Sequence, residues 1–164
     1  MSTCSLSVAG RAMWVESSVA TVEQSFQLAP HELFEILTTP DTYPHWLVGA
    51  KRIRKVADSW PSVGGYFEHV VGIGPLTIAD RTSVTAIEPP RLLELLVRAR
   101  PLVRAGVRFE LEAHPDGCML RMTETPAGAY KLASAVLQPL IRARNAGSMR
   151  RLSKIVEAHL ALPI

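Results

Sequence analysis

Three ionisable side chains fall where strand alternation should bury apolar ones. Asp80 shares a face with Ile78 and Val84, His69 with Phe67 and Val71, and Glu124 with Leu120 and Met122. A carboxylate among aliphatic side chains resists ionisation, which suits it to general acid or base work. A histidine can move a proton near neutral pH. Together these residue types point to proton transfer inside an apolar pocket. Each also has a plainer reading. Glu124, two residues before Pro126, could be a strand end reaching solvent. Asp80 could pair with Arg81 or another surface base, and His69 could be a satisfied structural residue. Asn145 lies between Ile141 and Met149 on an otherwise apolar helix stripe. There its amide must find a partner, either a ligand or a neighbouring backbone group.

Other chemistries lack their residues. The sequence holds no Gly-x-Ser-x-Gly elbow, no Walker loop and no HExxH. Gly64-Gly65 and Gly72-Ile73-Gly74 read as turn glycines rather than a dinucleotide fingerprint. The histidines at 31, 45, 69, 114 and 159 are scattered, and Cys4 and Cys118 have no metal-ligand spacing. No metal and no cofactor is expected.

The elements that must position these residues come next. At 164 residues the chain is long enough for one domain. Its hydrophobic fraction of 48% supports a buried core and excludes a wholly disordered chain. No apolar run reaches the length of a membrane span. The net charge of +3 is small, and the basic clusters Lys51–Lys55 and Arg142–Arg151 read as solvated faces, so no nucleic-acid partner is expected. Residues 1–14 read as a flexible tail without a signal-peptide pattern, with Met1 or Met13 as the start, ahead of a single domain over 15–162. Two unpaired cysteines suit the reducing cytoplasm.

Glu16–Phe26 alternates as a strand. Pro30 then stands at a helix first turn, with Leu33, Phe34 and Leu37 on one face, and a second short helix covers Thr42–Val48 before Gly49. Strand-like runs follow at Lys51–Ser59, Tyr66–Ile73, Leu76–Ile87, Arg91–Arg100, Leu102–Ala113 and Cys118–Thr125, divided by Gly and Pro turns. From Ala129 to about Leu160 one long helix carries Leu137, Ile141, Met149, Leu152, Val156 and Leu160 on one side. A kink or restart is expected at Pro139. Strands joined by short turns make an antiparallel meander, and segregated strands and helices argue an α+β class.

The order and its residues resemble the START-like superfamily, and look closest to its bacterial polyketide cyclase/dehydrase or SRPBCC branch. The segment FQLAPHELFEILTTPDTYPHWLVG is similar to the family's strand, "AP", helix and "DP-x-x-YP-x-W", with Pro40-Asp41 reversed here. RTSVTAIEPPRLLEL resembles its strand, Pro-Pro, strand unit. Arg144-Asn145 followed by Ser148-Met149-Arg150-Arg151-Leu152 looks like the "RN…LRRL" of many actinobacterial members. The resemblance implies a helix-grip (Bet v 1/START-like) fold, a curved antiparallel sheet wrapped around the C-terminal helix. It also implies a pocket for lipid, polyketide or aromatic-like molecules.

Alternation nominates the lining of that pocket: Phe67 and Ile78, then Leu95 and Val97, Val107 and Phe109, and Leu120 and Met122. Ile141, Asn145 and Met149 face it from the helix, and Trp46 stands with Tyr43 at the mouth, to gate it or to pack the short helices. The first expectation is a carrier or sensor of a hydrophobic or amphipathic small molecule, as a monomer or homodimer. The alternative is a polyketide cyclase or dehydratase moving protons with Asp80, His69 or Glu124. A third, weaker one is a partner-binding module using the basic face of Arg142, Arg144, Arg150 and Arg151.

Overall fold

Short turns between alternating runs force each strand to pair with the next, and the computed structural model shows this over residues 20–99, 103–128 and 130–161. The elements are β1 (Ala20–Phe26), α1 (Pro30–Thr38), a 3-10 turn (Pro40–Thr42), α2 (Tyr43–Trp46), β2 (Ala50–Val56), β3 (Tyr66–Ile73), β4 (Leu76–Glu88), β5 (Leu92–Ala99), β6 (Val103–His114), β7 (Gly117–Pro126) and α3 (Tyr130–Leu160). The tail 1–14, both candidate starts, Cys4 and the Glu16–Val19 part of the first expected strand lie outside the described residues. So do Arg100 and Leu102.

The seven strands form one antiparallel sheet in the order β1-β7-β6-β5-β4-β3-β2. The meander β2 to β7 is sequential. Only β1 joins out of order, pairing β7 from Ala20 opposite Glu124 to Phe26 opposite Cys118. The two short helices therefore carry the chain from one edge of the sheet to the other. The expected architecture of sheet, long C-terminal helix and two short helices after the first strand is the one observed.

Local chemistry explains the boundaries. In α1, Pro30 occupies the first turn and the Glu32 carboxylate accepts the Ala29 N–H at 2.8 Å, satisfying one orphan donor. Leu33, Phe34 and Leu37 are buried. α2 is shorter than the expected Thr42–Val48, and Gly49 follows it at φ 96°, a conformation side chains with a Cβ rarely adopt. At Gly72 a Cβ would stand 2.0 Å from the Leu76 carbonyl oxygen, so only glycine permits the tight β3–β4 hairpin.

α3 runs unbroken through Pro139, so the expected restart does not occur. Its apolar stripe is buried at Ile141, Met149, Leu152 and Val156, whereas Leu137 and Leu160 are exposed, against expectation. A helix of 31 residues is about 46 Å long, longer than a ten-residue strand at about 34 Å. The core joins the inner sheet face to α1, α2 and the C-terminal half of α3, with Leu33, Leu93, Leu120 and Leu152 fully enclosed.

Candidate functional site

Between the sheet, the α2–β2 connection and α3 lies a cavity of about 230 Å³. Leu95 and Val97 of β5, Val107 and Phe109 of β6 and Met122 of β7 supply an apolar floor. Val71 and Ile78 extend it across β3 and β4, and the segment Leu47–Ala50 closes one side. Alternation dictates this lining, because every second residue of each strand faces inward.

Two polar stations interrupt the apolar wall. At the first, His69 Nε2 stands 2.9 Å from Asp80 Oδ2, both residues 4% exposed or less. The pairing follows from register, since His69 and Asp80 are directly opposed across β3 and β4. Asp80 Oδ1 also accepts the Arg98 backbone N–H at 3.0 Å. Thr82 Oγ1 lies 3.4 Å from the same His69 Nε2. The other ring nitrogen, Nδ1, is buried and has no hydrogen-bond partner. The expected pairing of Asp80 with Arg81 does not occur. Arg81 points outward and donates to Glu68 at 2.6 Å, which holds the Glu68 carboxyl below its ordinary range.

At the second station Glu124 is 2% exposed, so it is not a solvated strand end. Its Oε2 accepts from Arg144 Nη2 and, at 3.0 Å, from Asn145 Nδ2. Arg144 also donates to Asn145 Oδ1, so the helix dipeptide Arg144-Asn145 closes around one carboxylate oxygen. Arg144 thus borders the cavity and pairs with Glu124 while its side chain stays partly exposed, whereas Arg142, Arg150 and Arg151 are exposed. Pairing explains why a carboxylate stays among aliphatic neighbours: a buried charge needs a partner and hydrogen bonds.

The structure separates the nominated lining residues into two groups. Ile78, Leu95, Val97, Val107, Phe109 and Met122 border the cavity, together with His69, Asp80 and Glu124. Trp46, Phe67, Leu120, Ile141, Asn145 and Met149 are buried but lie off the cavity wall. Trp46 is fully enclosed and its Nε1 donates to Thr42 Oγ1 at 3.1 Å, so it packs α2 and does not stand at the mouth. Tyr43 does reach the cavity, while its buried hydroxyl donates to Leu37 O at 2.7 Å. Burial pushes that hydroxyl well above the usual phenol range. Tyr43, Phe67 and His69 form a chain of ring contacts at 4.9 and 5.1 Å, which fixes the imidazole plane.

Sequence reasoning missed Thr82 and Arg144 as wall residues. Thr82 was legible, lying on the same strand face as Asp80 and Val84. Arg144 was not, because the exposed Arg142, Arg150 and Arg151 stand on the same helix. Among the described residues no three His, Cys, Asp or Glu side chains gather as a metal site requires. Among them also no helix is long and apolar enough to cross a membrane.

The family model for activator of Hsp90 ATPase homolog 1-like proteins matches residues 27–157. No curated protein matches the sequence. Among solved structures, a Rhodobacter sphaeroides protein superposes with a TM-score of 0.70 at 22% identity, over 86% of this chain and 93% of that one. A Staphylococcus aureus protein of unknown function gives 0.71 at 10% identity, over 88% and 96%. The di-domain ARO/CYC StfQ from the steffimycin biosynthetic pathway gives 0.66 at 16% identity, over 88% of this chain and 52% of that one. At these identities the likeness is one of fold.

Proposed function

The chain belongs to the activator of Hsp90 ATPase homolog 1-like family, within the START-like superfamily, and from that premise we propose that it binds a hydrophobic or amphipathic small molecule in the cavity as a carrier or sensor. The observation that carries this reading is an aliphatic wall with a few placed polar groups, the composition of a ligand site rather than of a packed core. A lipid, polyketide or aromatic-like molecule would bury its apolar body against Leu95, Val97, Val107 and Phe109. His69, Asp80 and Glu124 would set its orientation. The reading takes the chain as a cytoplasmic single domain without cofactor, metal or nucleic-acid partner. It would act as a monomer or as a homodimer joined through the edge strands β1 and β2.

A second reading, a cyclase or dehydratase acting on a polyketide-like substrate, draws on one specific observation. The His69–Asp80 pair and Glu124 border the same cavity, so two titratable stations flank one ligand volume. Native mass spectrometry of freshly purified protein, with solvent extraction, tests the first reading: a bound apolar metabolite supports it and a clean apo mass counts against it. Asp80→Asn and Glu124→Gln test the second, since unchanged turnover of the extracted molecule in both removes them as catalysts.

A further inference from the structure

On the outer face of the sheet, register sets Arg81, Arg98 and Arg104 directly opposite one another on β4, β5 and β6. All three are exposed. Arg81 is committed, since it donates to Glu68 at 2.6 Å and lies 4.3 Å over the Tyr66 ring. Among the described residues Arg98 and Arg104 have no carboxylate partner. Like charges directly opposed across a sheet repel, and elsewhere this face avoids that. Arg108 is shared by Glu94 and Glu110, and Arg121 pairs with Glu23. Adjacent strands stand about 4.8 Å apart, so one anion can accept from both free guanidinium groups.

A groove adjoins the pair. Gly106 stands in register between Leu96 and Thr125. A Cβ there would meet nothing nearer than the Thr125 carbonyl oxygen at 3.9 Å, so the absent side chain leaves a notch. The notch belongs to a groove of about 350 Å³ that Arg104 borders with Leu96, Thr125 and Pro126. Its carboxylate, Glu94, is already held by Arg108. Further along the same face Glu110 and Glu23 break up the basic ground, which disfavours an extended polyanion. Two cations match a phosphomonoester, which carries roughly −1.5 to −2 at neutral pH, better than a singly charged carboxylate. Guanidinium forks suit its oxygens. We propose that Arg98 and Arg104 together bind the phosphoryl group of a small phosphomonoester whose apolar body lies in the groove at Gly106. This site is separate from the cavity, which faces the other side of the sheet.

The experiment titrates the full chain with phenyl phosphate, phenyl sulfate and inorganic phosphate at one fixed, low ionic strength. Phenyl sulfate has the same body and one charge fewer, so wild-type protein is expected to prefer phenyl phosphate by about tenfold. Arg98→Gln combined with Arg104→Gln should weaken phenyl phosphate at least tenfold. Arg121→Gln, at an arginine already paired, should leave it unchanged. Gly106→Val fills the notch, and should weaken phenyl phosphate several-fold while inorganic phosphate binds as before. Equal affinity for phosphate and sulfate overturns the inference. So does affinity that survives the double substitution, or Gly106→Val without effect on phenyl phosphate. Binding of phosphatidylglycerol vesicles but not of phenyl phosphate overturns it in favour of a lipid surface. None of these outcomes touches the reading of the cavity, since the substituted side chains stand on the opposite face.

Discussion

Asn145 donates its side-chain amide to Glu124 Oε2 at 3.0 Å, tying the last helix to the last strand just behind the cavity wall that Glu124 borders. Both residues are 2% exposed or less, so neither group has water to fall back on. Asn145→Ala removes one of the donors on a buried carboxylate and should cost about 1–3 kcal/mol of stability. Truncating Arg121, whose pair with Glu23 is half exposed on both sides, should cost less than about 1 kcal/mol. Urea unfolding of the two variants compares them. Equal losses would mean that the Glu124 cluster behaves as a surface pair.

Filling the cavity should block it. Val107 borders the cavity from the centre of the sheet, between Leu95 and Glu124 in register. Val107→Trp should lower affinity for an apolar fluorescent probe by at least tenfold, with an overpacking cost of about 1–3 kcal/mol. Val63→Trp, at an exposed position off the wall, should leave it unchanged. Undiminished binding in Val107→Trp would place the probe elsewhere.

Among the described side chains of α3, the buried ones run from Ile141 to Val156. Leu152 is fully buried in the core, and Leu152→Ala should destabilise by about 2–5 kcal/mol. Leu140, 66% exposed on the same helix, should tolerate alanine within about 0.5 kcal/mol. Thermal denaturation separates the two outcomes, and a reversed order would contradict the docking described.

Alkaline pH should act through Tyr43. Burial raises its folded pKa above its unfolded value, so the fold favours the neutral phenol. The sign follows: this contribution is fully present below the unfolded tyrosine pKa of about 10, and is lost as pH climbs above it toward the folded value. Absorbance at tyrosinate wavelengths should show Tyr43 ionising only as the chain unfolds. Ionisation of all three tyrosines before loss of structure would contradict a buried Tyr43.

Much of the fold was legible because it follows from local rules. Strand alternation, Gly and Pro turns and the first-turn Pro30 mark most elements within a few residues, and Tyr66–Ile73 at both ends. Burial of His69, Asp80 and Glu124 was legible as an inward phase, since one-residue shifts flip a strand face. Their partners were not, because a partner is set by register and curvature. Asp80 has Arg81 beside it in sequence, yet alternation sends that arginine outward to Glu68 while register brings in His69.

Element types, inward residues and the family resemblance could be read from residue order, because all of them depend on spacing along one chain. Tertiary structure alone decided which inward residues border open space and which are packed solid. Phe67 and Leu120 share the inner face of the sheet with Leu95 and Val107, and all four belong to the core, yet only Leu95 and Val107 border the cavity. It also turned Arg144 from a basic face onto Glu124 and left His69 Nδ1 unpaired. The reason is physical: periodicity fixes the direction of a side chain, whereas what it meets depends on where a distant helix crosses a curved sheet.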